Sequence, residues 1–266
     1  DGVQLRLVGQ RLLQRIALSR RPRPWWRRAL SAITRWRRGK GRVLRQAGRD
    51  GQQGGKQQGE RQEGAGRKAA HGAEAAAADI DRLYQDFIPY QLKAIPQCSA
   101  LIPGAAEAFA DIRARGAKIG SNTGYAAMMI GQLLQDAAGQ GYAPDCIITA
   151  SDVKHGRPYP EMLWKNLMEL EVSDIKAAVK VDDTAVGIAE GLNAGCWTVG
   201  LAVSGNEVGL SHEEWCALCA SEQNALREKA YAKMRASGAH YVIDSIADLP
   251  AVLDAIEQRL AQGEKP

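Results

Sequence analysis

From about residue 99 to the C-terminus the chain alternates short apolar runs with longer amphipathic ones, and this constrains its fold more than any other feature. Residues 117–120, 146–149, 177–181, 197–203 and 241–243 read as strands. Between and after them, residues 105–115, 126–138, 159–170, 186–194, 211–237 and 246–261 read as helices, the first closed by Gly116. Parallel strands need a crossover of about a dozen residues, usually a helix, so this alternation implies βαβ units. The expected class is α/β, with a parallel sheet covered by helices on both faces.

The first 72 residues follow different rules. Residues 1–70 hold 16 Arg and 3 Lys against 2 Asp and 2 Glu, whereas the rest of the chain is net acidic. Residues 48–66 are rich in Gly and Gln and almost free of apolar side chains, a composition that cannot bury enough surface to fold alone. The expected organisation is a basic, disordered segment over 1–72, a helical piece over 73–98 and a core over 99–266. Ile80, Leu83, Tyr84, Phe87 and Ile88 give that piece its helical spacing, and Pro96 ends it. No run of 18 apolar residues occurs, so no membrane-spanning helix and no membrane partner is expected. Five cysteines form no disulfide ladder and point to reduced thiols in a cytoplasm. The pair Cys216 and Cys219 lacks the second ligand pair that a zinc site needs.

In open parallel sheets, ligands bind where strands end, so polar residues there carry the functional signal. The first such point is Gly120-Ser121-Asn122-Thr123-Gly124-Tyr125, between a strand and a helix. Hydroxyls and N–H groups at a helix start suit a phosphoryl oxygen, and they also suit an ordinary N-cap. The second is His155-Gly156-Arg157-Pro158-Tyr159-Pro160. Arg157 can hold a phosphate or phosphonate by two-point hydrogen bonding, or be a solvated loop residue. The third is Asp182-Asp183-Thr184, closing a buried strand. Two carboxylates there want a cation, magnesium being the natural partner of oxygen ligands beside a phosphate. The alternative is a helix cap by Asp183.

In order and spacing these three points resemble motifs two to four of the haloacid dehalogenase superfamily. The finer text resembles its phosphonoacetaldehyde hydrolases over about residues 75–263. The matching stretches are Ala100-Leu101-Ile102-Pro103-Gly104, the Ser121–Tyr125 loop, Gly156–Pro160, Val179–Thr184, Glu190-Gly191, Trp197–Gly200, Ser204–Glu207 and Gly238–Tyr241. The resemblance implies a haloacid-dehalogenase-like Rossmannoid core whose helical cap is largely lost. It implies cleavage of the carbon–phosphorus bond of phosphonoacetaldehyde to acetaldehyde and phosphate. It also implies a small-molecule phosphonate substrate, a Mg2+ cofactor and a homodimer. In the family, a Lys forms a Schiff base that makes the departing carbon a tolerable leaving group, and an Asp takes the phosphoryl group. Carried over residue by residue, Ser121, Thr123, Arg157 and Asp182 are catalytic and Asp183 holds the metal. Asn122, Gly124 and Tyr125 line the substrate. Some superfamily members carry a second acid four residues beyond the first; here that position is Gly187, so by this resemblance the adjacent Asp182–Asp183 pair must serve instead.

Two pieces of the pattern are missing. Residues 1–70 contain no Asp-x-x-Gly-Thr after an apolar strand and no Met-Gly-x-x-Lys, so the nucleophile and the Schiff-base Lys have no numbered counterpart. The expected explanation is a wrong-frame translation of the true N-terminal coding region, which leaves the chain inactive and without its central strand. Rival readings are another phosphatase or phosphomutase of the superfamily, an Arg- and Trp-rich nucleic-acid-binding arm, and a targeting peptide. No specific nucleic-acid partner is expected.

Overall fold

The computed structural model describes residues 6–9, 88, 89, 92, 93, 95, 99–125 and 127–266. Six strands form one sheet: β1 (Arg6–Gly9), β2 (Ile119–Thr123), β3 (Cys146–Thr149), β4 (Ala178–Asp182), β5 (Trp197–Leu201) and β6 (Tyr241–Ile243). Their order is β3-β2-β1-β4-β5-β6, and every neighbouring pair is parallel. The crossovers carry α1 (Ala105–Ala114), α2 (Ala127–Gly139), α3 (Glu161–Glu169), α4 (Ala185–Ala194), α5 (His212–Cys216) and α6 (Ala220–Ala236), and α7 (Leu249–Ala261) follows β6. The α/β class and parallel sheet read from the sequence are therefore what forms.

Side chains alternate across a strand, so one sheet needs two apolar layers. Ile119, Val179, Val181, Val199 and Leu201 face Phe109 and Ile112 of α1 and Leu249, Leu253 and Ile256 of α7. Phe109 meets Tyr142 edge-on, with ring centroids 4.4 Å apart. The opposite layer is split. Leu163 and Leu167 of α3 cover Ala178 and Cys196, while Ala230 and Met234 of α6 pack with Ile188 and Ala202. On α3 the buried residues Met162, Leu163, Asn166 and Leu167 recur at helical spacing, leaving Trp164 and Met168 exposed.

Several expectations are corrected. The central strand was expected to be missing, yet Arg6–Gly9 fills that place, pairing Gly9 with both Ser121 and Val181. By compactness the chain divides into one unit of Asp1–Ala17 with Leu92–Pro266 and another of Leu18–Gln91. In the second unit, Ile88 and Pro89 are described, and both are helical. The Gly/Gln-rich stretch over 48–66 lies outside the described residues, as do most of the helix expected over 77–95 and Cys98.

Strand β2 runs on to Thr123, because Asn122 and Thr123 continue the ladder with Ile148 and Thr149. The helix expected over 211–237 is two. Ser211 caps α5 in a reciprocal pair with Glu214, and Cys219 starts α6 in a second such pair with Glu222. Among the described residues, Cys146, Cys196, Cys216 and Cys219 are free thiols. No described helix is long and apolar enough to cross a membrane.

Candidate active site

The carboxyl ends of β2 and β4 stand on either side of β1, so their termini lie about 10 Å apart. Register puts Ser121 level with Val181, through Gly9, and alternation then sets Asn122 and Asp182 on one face of the sheet. Thr123 and the succeeding Asp183 belong to the other.

On the first face lies a closed polar cluster without solvent. Asn122, Lys180, Asp182 and Glu190 have no exposed surface. Lys180 Nζ donates to Asn122 Oδ1 at 2.7 Å and lies 2.8 Å from Glu190 Oε2 and 3.4 Å from Asp182 Oδ2. Asn122 Nδ2 donates to Glu190 Oε1 at 3.0 Å. Arg157 joins from the loop before α3, its Nη1 4.0 Å from Asp182 Oδ2 and its Nε 4.0 Å from Glu190 Oε2. Burying these charges is tolerable because they are ion-paired and one oxygen of each carboxylate accepts hydrogen bonds.

Asp182 is held further by Thr184, whose N–H and hydroxyl donate to Oδ1 at 2.9 and 2.7 Å. The Thr184 hydroxyl also caps α4 by accepting from Gly187 N. The carboxylate fills the space a side chain at Gly187 would take: a Cβ there would fall 1.9 Å from Asp182 Cγ. The absence of a side chain at Gly187 is thus what makes room for the Asp182 carboxylate beside the start of α4.

Arg157 is placed by its loop. Glu161 at the start of α3 accepts from Lys154 N at 3.0 Å and His155 N at 2.8 Å, and its carboxylate also pairs with His155 Nδ1. The His155 bond holds Glu161 below the usual carboxylate range. Arg157 Nη2 reaches the Ser121–Tyr125 loop, where a Cβ on Gly124 would lie 3.3 Å from it. Gly124 thereby admits the guanidinium to the rim. Thr123 Oγ1 accepts from Tyr125 N at 3.1 Å and fixes the same turn.

Asp183 sits apart from Asp182. Its Oδ2 accepts from Asn206 N at 3.1 Å, and Gly205 packs against its Cβ. Among the described residues no group of three or more His, Cys, Asp or Glu comes together as a metal centre.

Of the residues expected at the site, Asn122, Asp182 and Arg157 are brought together, and Gly124 adjoins Arg157. Ser121 is turned away. Its carbonyl accepts from Asn166 Nδ2 at 2.7 Å, and its side chain bonds to the Tyr142 hydroxyl. Burial pushes that phenol up to about 12. Asp182, expected as catalytic, and Asn122, expected to line the substrate, are both fully buried beneath the rim. Lys180, Glu190, Asn166 and Tyr142 have no expected role in the sequence. The available signal was a Lys between Val179 and Val181 in an otherwise apolar strand, and a Glu inside an apolar helix.

The family model for haloacid dehalogenase-like hydrolases matches residues 11–195, so it starts within the segment that the motifs leave unmatched. The phosphonoacetaldehyde hydrolase of Hahella chejuensis is 52% identical over 196 residues, 74% of this chain and 67% of that protein. That of Klebsiella pneumoniae is 47% identical over 200 residues, 75% of this chain and 74% of that protein. Among solved structures, a phosphonoacetaldehyde hydrolase like protein from Oleispira antarctica superposes with a TM-score of 0.77 at 36% identity, covering 100% of this chain and 96% of that one. A β-phosphoglucomutase from Clostridium difficile, at 16% identity and a TM-score of 0.58, shares the fold over 96% of this chain and 98% of its own. A sheet of this order, an arginine at its rim and relatives of this likeness converge on one conclusion: the chain belongs to the haloacid dehalogenase-like hydrolases and, within them, to the phosphonoacetaldehyde hydrolases.

Proposed function

We propose that the rim of β2 and β4 is the phosphonate pocket of a phosphonoacetaldehyde hydrolase, and that this chain keeps the pocket while lacking the groups that break the bond. The observation that carries the reading is the lodging of Arg157 beside Gly124, over two buried carboxylates, at the mouth of a parallel sheet. Arg157 meets the phosphonate oxygens with its planar fork. Thr123, Gly124 and Tyr125 form the turn the anion rests against, with Ser121 fixing it from below. Asp183 holds Mg2+. Magnesium takes one or two protein carboxylates and fills its shell with water and phosphate oxygens, so one carboxylate beside a bound phosphonate fits it. When bound, the ion neutralises charge on the phosphoryl oxygens.

The chemical step needs an Asp after β1 and a reactive amine. After Gly9 the sequence reads Gln10-Arg11, and no Asp occurs between Asp1 and Asp50. Lys180 cannot supply the amine. Its Nζ donates to Asn122 and is ion-paired with Glu190 and Asp182, and it has no exposed surface. The chain is a homodimer in a reducing cytoplasm in this reading, as light scattering and thiol titration can check.

The test is an assay for acetaldehyde and phosphate from phosphonoacetaldehyde with Mg2+. The 266-residue chain should give neither above background, because losing groups that act in the chemical step costs orders of magnitude. A protein restored with a family-type N-terminus should turn over, and Asp183→Ala in it should abolish turnover. Measurable turnover by the unrestored chain would refute the account of the missing groups, and no turnover by the restored one would refute the assignment.

A further inference from the structure

Lys180 has no part in binding or in the chemical step in the reading above. It stands mid-strand between two fully buried valines, where an apolar side chain would be far cheaper to bury. The cluster contains two carboxylates, Glu190 and Asp182, and two cations, Lys180 and Arg157, and the cations are not equivalent. Lys180 is the inner one, 2.8 Å from Glu190 and 3.4 Å from Asp182. Arg157 stands 4.0 Å from each of the same carboxylates, at the limit of ion pairing, and its Nη2 lies at the rim beside Gly124. Helix α4 clamps the Lys180 stem, since a Cβ on Gly191 would fall 2.8 Å from Lys180 Cβ.

We propose that Lys180 is a positioning residue for anion binding: it neutralises Glu190 and Asp182 from within the sheet, so that Arg157 presents its charge to a phosphonate at the rim instead of settling on to those carboxylates. Coulomb attraction in a water-poor interior is strong. Without the inner ammonium, two unbalanced carboxylates would draw the guanidinium the short distance inward. Asn122 completes the device, because it accepts from Lys180 and donates to Glu190, locking the inner pair in register with the end of β2. The inference rests on Arg157 being the anion-binding cation.

The experiment is calorimetric titration of the 266-residue chain with inorganic phosphate and, separately, with Mg2+. Lys180→Met should raise the phosphate Kd by about tenfold or more while leaving Mg2+ binding equal or tighter. Glu190→Gln, the opposite charge change, should leave phosphate binding equal or tighter and weaken Mg2+. Damage to the scaffold would weaken both ligands in both variants, and that result overturns the proposal. So does a Lys180→Met protein whose phosphate Kd stays within about twofold of the parent. If Lys180→Met does not fold, Glu190→Gln decides alone: weaker phosphate binding there is incompatible with the charge argument. A parent chain that binds no phosphate would instead refute the reading of Arg157, and this inference with it.

Discussion

Asp182 occupies volume that belongs to another residue's side chain, and that makes Gly187 testable. Gly187→Ala should destabilise the protein by about 2 kcal/mol, because its methyl group would overlap a carboxylate held on both oxygens. In an Asp182→Gly background the same alanine should cost almost nothing further, and urea unfolding of the four proteins would reveal the coupling. Equal costs in both backgrounds would mean that the two positions do not compete. Asp182→Asn should cost about 3 kcal/mol by the same measurement, since it leaves two cations facing an amide. At this scale the sequence was partly legible. An acidic pair at a strand end and an Arg before a helix announce themselves, because loops and strand ends seldom bury charge. Lys180 and Glu190 did not, because a polar letter inside an apolar run does not say which partner it meets across the sheet.

Elements were easier to read than their ends. Strand β2 was cut short in the sequence because Ser121, Asn122 and Thr123 look like a loop, yet the backbone ladder with β3 takes no notice of side-chain polarity. The division between α5 and α6 was missed because two capping pairs, Ser211 with Glu214 and Cys219 with Glu222, sit inside one helical pattern. Asp145 ties α1 to this edge of the sheet. Its carboxylate accepts from Ile119 N at 2.7 Å and pairs with Arg113. Partial burial acts to raise its pKa, but Arg113, the Ile119 N–H and nearby Lys118 together hold it lower than usual. A depressed carboxylate stabilises the fold above its unfolded pKa, and that contribution is lost as pH falls through the folded value. Asp145→Asn should therefore unfold more readily than the parent at pH 7, and the gap should close below about pH 4. A gap that widens in acid would contradict the assigned sign.

For the whole molecule, the decisive element is β1, which has the sheet on both sides. Val8 pairs with Gly120 on one flank and Lys180 on the other, so Val8→Pro removes a donor from the middle of the sheet and should cost about 3 kcal/mol or more. Melting followed by circular dichroism and light scattering should show earlier unfolding with aggregation, because β2 and β4 would gain open edges. A variant that melts with the parent would remove Arg6–Gly9 from the sheet. The class of fold was legible from residue 99 onward, where every strand alternates with a helix. The central strand was not, since a basic segment without strand alternation gives no signal for it, and its place is set by partners 112 and 172 residues away. The packing of Asp182 against Gly187 also couples the start of α4 to the charge balance of the cluster. Any side chain larger than hydrogen at position 187 must displace the carboxylate that faces Lys180 and Arg157, so the helix start and the buried charges cannot vary independently.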